Sequence, residues 1–195
     1  MISIPIKTEA EVPLSVAKAL RELSRRSVDG TVDIALKHKQ VNQADSSAIA
    51  STASETAFST VATISESLYG LGRVFRLTAS GVFSTTGTPT IQFRVRIGTT
   101  NIVVFTAQTC PNNSANQPFL LEAEIVVKTL GATGTVSGQG RLFFSTSTLE
   151  LIVNATDTTV DTTSEQTVNV TAQWSASSAS NTVKIRNFFP ELSDY

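Results

Sequence analysis

The feature that most constrains the fold of this chain is a regular alternation of apolar and polar side chains. Residues 166–189, QTVNVTAQWSASSASNTVKIRNFF, show it twice, on both sides of a tip made of Ser, Ala and Asn. The apolar members of the first half are Val168, Val170, Ala172 and Trp174. Successive side chains of a β-strand point to opposite faces, so this pattern predicts two half-buried strands and places Trp174 in the core.

Similar segments follow one another from Phe58 to the end of the sequence. TIQFRVRIG alternates in the same way, and NIVVFTAQ follows it after a tight turn, which predicts a hairpin. The other candidate strands are FSTVATI, GRVFRLTASGVFS, FLLEAEIVVKTLG, TGTVSGQGRLFFSTS and LELIVNA. About eight or nine short strands without intervening helical patterns predict an all-β fold, an antiparallel sandwich or barrel.

Residues 1 to about 45 differ from the rest of the chain in pattern and in charge. Apolar residues near a 3.6-residue period predict a short amphipathic helix at about 13–26, with arginines near its C-terminal end. The residues that carry this pattern are Leu14, Ala17, Leu20, Leu23, Arg25 and Arg26. A short strand is predicted at about 31–36. Residues 46–57 are small and polar, which predicts a linker before a β-domain at 58–195.

The composition limits the partners of the chain. Charged residues make up 16% of it, the formal net charge is −1 and the pI is about 5.8, whereas nucleic-acid-binding domains are normally strongly basic. Cys110 and His38 are the only residues of their types, so we expect no intrachain disulfide, no Cys- or His-based metal site and no cofactor. Neither a secretory signal nor about 20 consecutive apolar residues occurs, which predicts synthesis in a cytosol and no membrane partner.

Few residues offer acid–base or nucleophilic chemistry. His38 is flanked by Lys37 and Lys39, which oppose its protonation, and no Gly-x-Ser-x-Gly motif accompanies it. Cys110 precedes Pro111 at the edge of a loop and is interpreted as a small, half-buried residue rather than a nucleophile. We therefore expect that the protein is not an enzyme.

Glu122 and Glu124 share one face of the candidate strand FLLEAEIVV. Two carboxylates form the catalytic pair of a glycosidase, but such a pair normally comes from different strands across a cleft. The favoured interpretation is an exposed strand face that pairs with Arg94 and Arg96 of a neighbouring strand.

Several loops offer alternative binding chemistry. Asp157, Asp161 and Glu165 recur at every fourth position as calcium ligands would, but the EF-hand spacing and its Gly are absent, which favours a solvated loop. Tyr69 is the best candidate for the exposed aromatic of a sugar site, and the Asp/Asn residues of the loops at 112–116 and 157–161 are further places for glycan recognition. GATGTVSGQG is Gly-rich, but it lacks the Lys-Ser/Thr ending of a phosphate loop.

Three long stretches combine these strands with particular turns. They are GRVFRLTASGVFSTTGTPTIQFRVRIGTTNIV, FLLEAEIVVKTLGATGTVSGQGRL and DTTSEQTVNVTAQWSASSASNTVKIRNFF. Their Gly-Thr-Pro-Thr turn, Leu-Glu-Ala-Glu strand, Thr-Leu-Gly-Ala-Thr-Gly turn and Val-x-Val-x-Ala-x-Trp-Ser strand resemble a β-sandwich module of tailed-bacteriophage virion proteins. That group includes capsid decoration proteins, head fibres and tail fibres. The likeness covers about residues 58–189 and implies an antiparallel, jelly-roll-like β-sandwich without catalytic residues.

The resemblance implies a non-enzymatic structural protein of the virion, made in the host cytoplasm. Its compact length favours a capsid decoration (cement) or head-fibre protein, because a tail fibre usually adds a long repetitive shaft. Such modules commonly form homotrimers. Residues 1–45 would bind the major capsid protein or another virion protein, and the β-sandwich would face outward. The residues expected to make that attachment are Leu14, Leu20, Arg21, Leu23, Arg25 and Arg26.

Three alternatives stay open at this point. The predicted helix at 13–26 would, in one alternative, simply cover an end of its own sandwich. In another, the chain is a tail fibre or a receptor- or carbohydrate-binding module that recognises a host surface glycan through its loops. The last, an enzyme, requires Glu122 or Glu124 to face a second acid across a cleft.

Overall fold

The computed structural model describes residues 44–145 and 148–193. These residues form eleven strands and a short 3₁₀ turn at Glu66–Leu68. The strands are β1 (Thr56–Ile64), β2 (Val74–Ser84), β3 (Thr90–Ile97), β4 (Thr100–Val104), β5 (Gln108–Thr109), β6 (Gln117–Thr129), β7 (Gly134–Phe144), β8 (Thr148–Val153), β9 (Thr158–Val160), β10 (Gln166–Trp174) and β11 (Thr182–Ser193).

The strands form two antiparallel sheets packed face to face. The five-stranded sheet has the order β1-β10-β3-β4 with β5 beside β3, and the six-stranded sheet has the order β11-β2-β6-β7-β8 with β9 beside β7. The connections β1–β2, β2–β3, β5–β6, β9–β10 and β10–β11 pass between the sheets. The predicted antiparallel β-sandwich is confirmed. β5 and β9 escape sequence-based prediction, because two or three residues are too few to display a period.

The alternation in the sequence builds the core between the sheets. The inward residues of β3 are Ile91, Phe93, Val95 and Ile97, as predicted, and all four are buried. Phe93 meets Phe119 of the opposite sheet with ring centroids 4.8 Å apart. Trp174 is also buried, which confirms its predicted place in the core. Burial of one such side chain stabilises the fold by about 2 kcal/mol or more.

The Gly-rich stretch in β7 allows the two sheets to approach closely. A Cβ atom at Gly138 would lie 2.8 Å from Cγ2 of Ile102, and one at Gly140 would lie 2.9 Å from Cζ of Phe105. Contacts this short do not occur for real side chains, so larger residues at these positions would force the sheets apart. These glycines therefore serve packing between the sheets.

The predicted hairpin is confirmed. β3 and β4 pair with Ile97 opposite Thr100, which leaves Gly98 and Thr99 as a two-residue turn. Gly98 has a φ of 57°, in the left-handed region that such turns require and that glycine adopts without strain.

The segment predicted as a linker is partly packed on the sandwich. The amide of Ser46 donates to the carbonyl of Ile185 at 2.8 Å, and Ile49 and Val183 exchange two backbone hydrogen bonds. Trp174 Nε1 also donates to the carbonyl of Ile49, at 3.3 Å. Ser46 and Ile49 are buried, so the first half of 46–57 is part of the folded domain. Its sequence hides this, because Ile49 alone cannot produce a periodic pattern. The helix at 13–26 and the strand at 31–36 lie outside the described residues.

Candidate functional site

The outer faces of the two sheets carry the side chains that are available for binding, because the inner faces form the core. We call the outer face of the five-stranded sheet around Glu55, Arg94, Arg96 and Thr171 the closed face. We call the outer face of the six-stranded sheet around Arg76, Glu122, Glu124 and Arg141 the open face. The two faces contain the same kinds of ion pair but differ in what covers them.

The closed face is covered by the chain segment that precedes β1. Thr171 Oγ1 donates to the Glu55 carboxylate at 2.6 Å. The guanidinium groups of Arg94 and Arg96 form ion pairs with that carboxylate at 3.4 and 3.3 Å. Gln173 Nε2 also donates to the carbonyl of Ala53, at 3.2 Å. One acid therefore neutralises two neighbouring arginines beneath a segment of the same chain.

The open face holds a ladder of charged side chains across β2, β6 and β7. Arg76 Nε donates to Glu124 at 2.8 Å, and Gln139 Nε2 donates to the other oxygen of that carboxylate at 2.6 Å. Glu122 and Arg141 form the neighbouring ion pair. The hydrogen bond from Arg76, followed by that from Gln139, lowers the pKa of Glu124 below its ordinary value.

The predicted partners of the two glutamates are wrong. Glu122 and Glu124 lie on β6 of the six-stranded sheet, whereas Arg94 and Arg96 lie on β3 of the other sheet and pair with Glu55. The prediction of an exposed strand face is confirmed, but sequence order does not reveal which strands become neighbours. The general acid of a glycosidase needs a raised pKa, and the pKa of Glu124 is shifted in the opposite direction.

The open face forms a groove that ends at an apolar margin on β8. The groove has a volume of about 570 Å³, and Arg76, Glu124, Leu151 and Val153 are among its lining residues. We call Leu149, Leu151 and Val153 the β8 margin. Their exposed fractions are 53%, 70% and 73%, so three large apolar side chains stand side by side in solvent.

The inner side of β8 is fastened to the opposite sheet. The Glu150 carboxylate accepts a hydrogen bond from the amide of Thr106 at 2.8 Å and another from Gln108 Nε2 at 2.9 Å. Asn154 Nδ2 donates to the carbonyl of Ile102 at 2.7 Å. These contacts fix which face of β8 points outward. The alternate apolar residues of LELIV, Leu149, Leu151 and Val153, therefore face solvent. In most half-buried strands the apolar side chains face the core instead.

Tyr69 is buried, and its selection as an exposed aromatic is wrong. Its ring packs edge-on against Phe75 with centroids 5.6 Å apart, and burial raises the pKa of its hydroxyl to about 12. In the candidate loop at 112–116, Asn113 Oδ1 accepts a hydrogen bond from the amide of Gly87 at 2.9 Å, so this side chain links the loop to the turn between β2 and β3.

The candidate calcium loop uses Asp161 to organise its own backbone. The Asp161 carboxylate accepts hydrogen bonds from the amide of Thr163 at 2.8 Å and from Ser164 Oγ at 2.9 Å. Hydrogen bonds from Thr163 and Ser164 lower the pKa of Asp161. Within residues 44–145 and 148–193, no group of three or more His, Cys, Asp or Glu is placed to hold a metal ion.

Cys110 is fully buried rather than half-buried, and burial raises the pKa of its thiol to about 12. A thiol with that pKa is almost entirely protonated at neutral pH and is a poor nucleophile. His38 and the attachment residues Leu14, Leu20, Arg21, Leu23, Arg25 and Arg26 lie outside the described residues.

Comparison with known proteins gives no relative that identifies the chain: no protein-family model matches it, and no curated protein matches it. In the part of the chain that the structure describes, no helix combines the length and the hydropathy needed to span a membrane.

Proposed function

We propose that this chain is a non-enzymatic structural protein of a bacteriophage virion, a capsid decoration or head-fibre protein. One observation carries the proposal. The three stretches that resemble the phage module correspond to β2–β4, β6–β7 and β10–β11, which belong to one sandwich. The resemblance therefore extends over one folded unit rather than over scattered segments.

The chemistry of the outer faces supports a role in assembly. Most of their charged side chains pair with one another, as Arg76 does with Glu124 and Arg94 does with Glu55. Strands joined in two antiparallel sheets keep most of their backbone groups in hydrogen bonds, which limits the access of proteases, and the paired charges neutralise one another on the surface. A protein with these properties keeps its shape on the surface of a particle.

The path of the chain supports a separate attachment segment. Asp45 lies beside β11, where it forms ion pairs with Lys184 at 2.7 Å and with Arg186 at 3.6 Å. The described part of the chain therefore begins at the β11 edge. In this proposal, Leu14, Leu20 and Leu23 contact a groove of the major capsid protein or another virion protein. Arg21, Arg25 and Arg26 pair with acidic groups around it.

The homotrimer that the resemblance implies stays a prediction, as does the location on the capsid rather than the tail. The carbohydrate-binding alternative called for an exposed aromatic residue or an Asp/Asn cluster in the loops around Tyr69, 112–116 or 157–161, and of these the aromatic candidate Tyr69 is buried. No observation on the sandwich favours a glycan as the partner over another virion protein.

The experiment that tests the proposal is detection of the chain in purified virions. Particles produced from the genome that encodes it would be purified by density gradient, analysed by mass spectrometry and labelled with gold-conjugated antibody. We expect the protein in the particle fraction, in a fixed ratio to the major capsid protein and with label over the head. Label confined to the tail would replace the head location with a tail-fibre one, and absence from particles would overturn the proposal.

A further inference from the structure

The edge formed by β8 lacks most of the features that normally prevent one sheet from pairing with another. Natural edge strands are protected by outward charges, inward-pointing charges, proline, bulges or a covering segment. β8 has one inward charge, Glu150, and hydrogen bonds from Thr106 and Gln108 already hold its carboxylate against the opposite sheet. The outward side chains are the apolar β8 margin. Among the described strands, β8 has β7 on one side and none on the other.

The backbone of β8 is ready to accept another strand. The amide of Asn154 donates to the carbonyl of Gly138 at 2.9 Å, and hydrogen-bonded positions alternate along an antiparallel pair. Glu150 and Ile152 therefore direct their amide and carbonyl groups towards β7. Leu149, Leu151 and Val153 direct theirs away from it. The residues with outward apolar side chains thus also carry the outward backbone hydrogen-bonding groups.

We propose that two copies of this chain associate by antiparallel pairing of β8 with β8 about a two-fold axis at Leu151. The two six-stranded sheets would then form one continuous sheet across the axis. The inference goes beyond the proposed function and does not depend on it, because it rests on β8 alone.

The pattern of β8 is symmetric about Leu151, as pairing with an identical strand requires. With the axis there, Leu151 faces Leu151 of the second copy, and Leu149 faces Val153. Directly opposed residues in an antiparallel pair have Cβ atoms about 5 Å apart, so these apolar side chains cover one another. Three apolar contacts and a set of backbone hydrogen bonds form without displacing any contact described above.

The charge of Glu150 selects this register over a neighbouring one. With the axis at Leu151, Glu150 faces Ile152 of the second copy. An axis at Glu150 would place two glutamates opposite each other, and like charges in directly opposed positions destabilise a strand pair. Repulsion between the two Glu150 carboxylates would also oppose the hydrogen bonds that each accepts from Thr106 and Gln108.

A second copy is the occupant that the pattern of β8 itself specifies. The described chain begins beside β11, at the opposite edge of the same sheet, where Asp45 pairs with Lys184. The β8 strand of a second copy carries the same alternation of apolar residues about Leu151. Any other segment would need a matching alternation of its own.

The test measures the mass of the full chain by sedimentation equilibrium over a range of concentrations. We expect a reversible dimer, or an assembly whose mass is an even multiple of the chain. Leu151→Lys would place two lysines opposite each other at the axis and raise the dissociation constant roughly tenfold or more. Leu71→Lys is the matched control, because Leu71 is 69% exposed and Leu151 is 70% exposed. The control variant should dissociate as the parent chain does.

A mixing experiment separates the proposed contact from a general effect of the substitution. Leu151→Lys and Leu151→Glu should each lose the β8–β8 contact alone, with half the mass of the parent assembly, and should regain it when mixed, because the two charges then face each other. Circular dichroism of each variant checks that the sandwich is folded. Restoration of the pair by mixing supports the two-fold axis at Leu151.

Three outcomes would overturn the inference. The parent chain could be monomeric at every concentration, or its assembly could be unaffected by Leu151→Lys, or the mixture could fail to pair. A monomer whose amides at Leu149, Leu151 and Val153 resist hydrogen exchange would show that β8 is covered by the chain's own residues.

Discussion

The closed and open faces contain the same chemistry in different surroundings. The Glu55 and Arg94 side chains are 24% and 13% exposed, whereas those of Glu124 and Arg76 are 39% and 38% exposed. The segment before β1 lies over the first pair, and no described segment lies over the second. An ion pair beneath its own chain is part of the fold, whereas an ion pair in solvent contributes little to stability.

This difference shows where another molecule can bind. A partner at the closed face would have to displace the segment that carries Glu55, which would leave Arg94 and Arg96 without their acid. A partner at the open face or at the β8 margin would not displace any of the segments described above. The segment before β1 therefore covers the outer face of the first sheet, whereas the second sheet is contacted by Ser46 and Ile49 only along its β11 edge.

The largest expected effect follows from Glu55→Gln on the closed face. The change keeps the size of the side chain but removes the only described acid beside Arg94 and Arg96, so two partly buried guanidinium groups lose their counter-charge. We expect a loss of about 3 kcal/mol in the free energy of unfolding, measured by urea denaturation. A loss below about 1 kcal/mol would contradict the distinction between the two faces.

A smaller loss is expected from Thr171→Val, which removes one hydrogen bond to Glu55 and keeps the shape of the side chain. Because Thr171 is buried and its acceptor is charged, the cost should be about 1.5 kcal/mol. Thr78→Val on the open face is the control and should be close to neutral. Equal effects of the two substitutions in chemical denaturation would remove the basis for calling one face closed.

Glu124→Gln on the open face should cost less than about 1 kcal/mol at pH 7, because its pair with Arg76 is solvated. Increased salt concentration should reduce this cost further, whereas it should change the effect of Glu55→Gln much less. Denaturation of both variants at low and high salt measures the contrast. A salt-independent cost for Glu124→Gln would indicate that a partner or another segment covers the open face.

The smallest expected effect is the pH dependence of that same substitution. The pKa of Glu124 is lowered in the folded chain, so its stabilising contribution is present above the unfolded value of about 4.3 and is lost as pH falls through the folded pKa. The difference in stability between the parent chain and Glu124→Gln should therefore decrease as the pH is lowered from 7 to below about 4.3. A difference of the same size at neutral and at acidic pH would mean that it comes from the shape of the side chain rather than from its charge.

The sequence predicts the fold well because the core obeys a local rule. Alternation in β3 and β10 places the buried residues correctly, including Trp174, since each strand has one face in the core. The packed segment at Ser46 and Ile49 is missed, because its burial depends on β11 and not on its own pattern.

The surface is less predictable for two physical reasons. The partners of Glu122 and Glu124 depend on which strands become neighbours, and only the folded chain brings β2 and β7 beside β6. The apolar alternation of the β8 margin is visible in the sequence as LELIV, but alternation by itself predicts that Leu149 and Leu151 face the core. Their exposure follows from the contacts of Glu150 with Thr106 and Gln108, which lie about 40 residues away in the chain.

The measurement that tests the central claim most directly is binding of the purified full chain to virions that lack it. The full chain and a variant with Arg21→Glu, Arg25→Glu and Arg26→Glu would be added to such particles, and the bound protein would be quantified after sedimentation. The account predicts saturable binding of the parent chain at a fixed ratio to the major capsid protein, with at least tenfold weaker binding of the variant. No binding of the parent chain would contradict a structural role on the virion, and equal binding of both proteins would contradict attachment through residues 1–45.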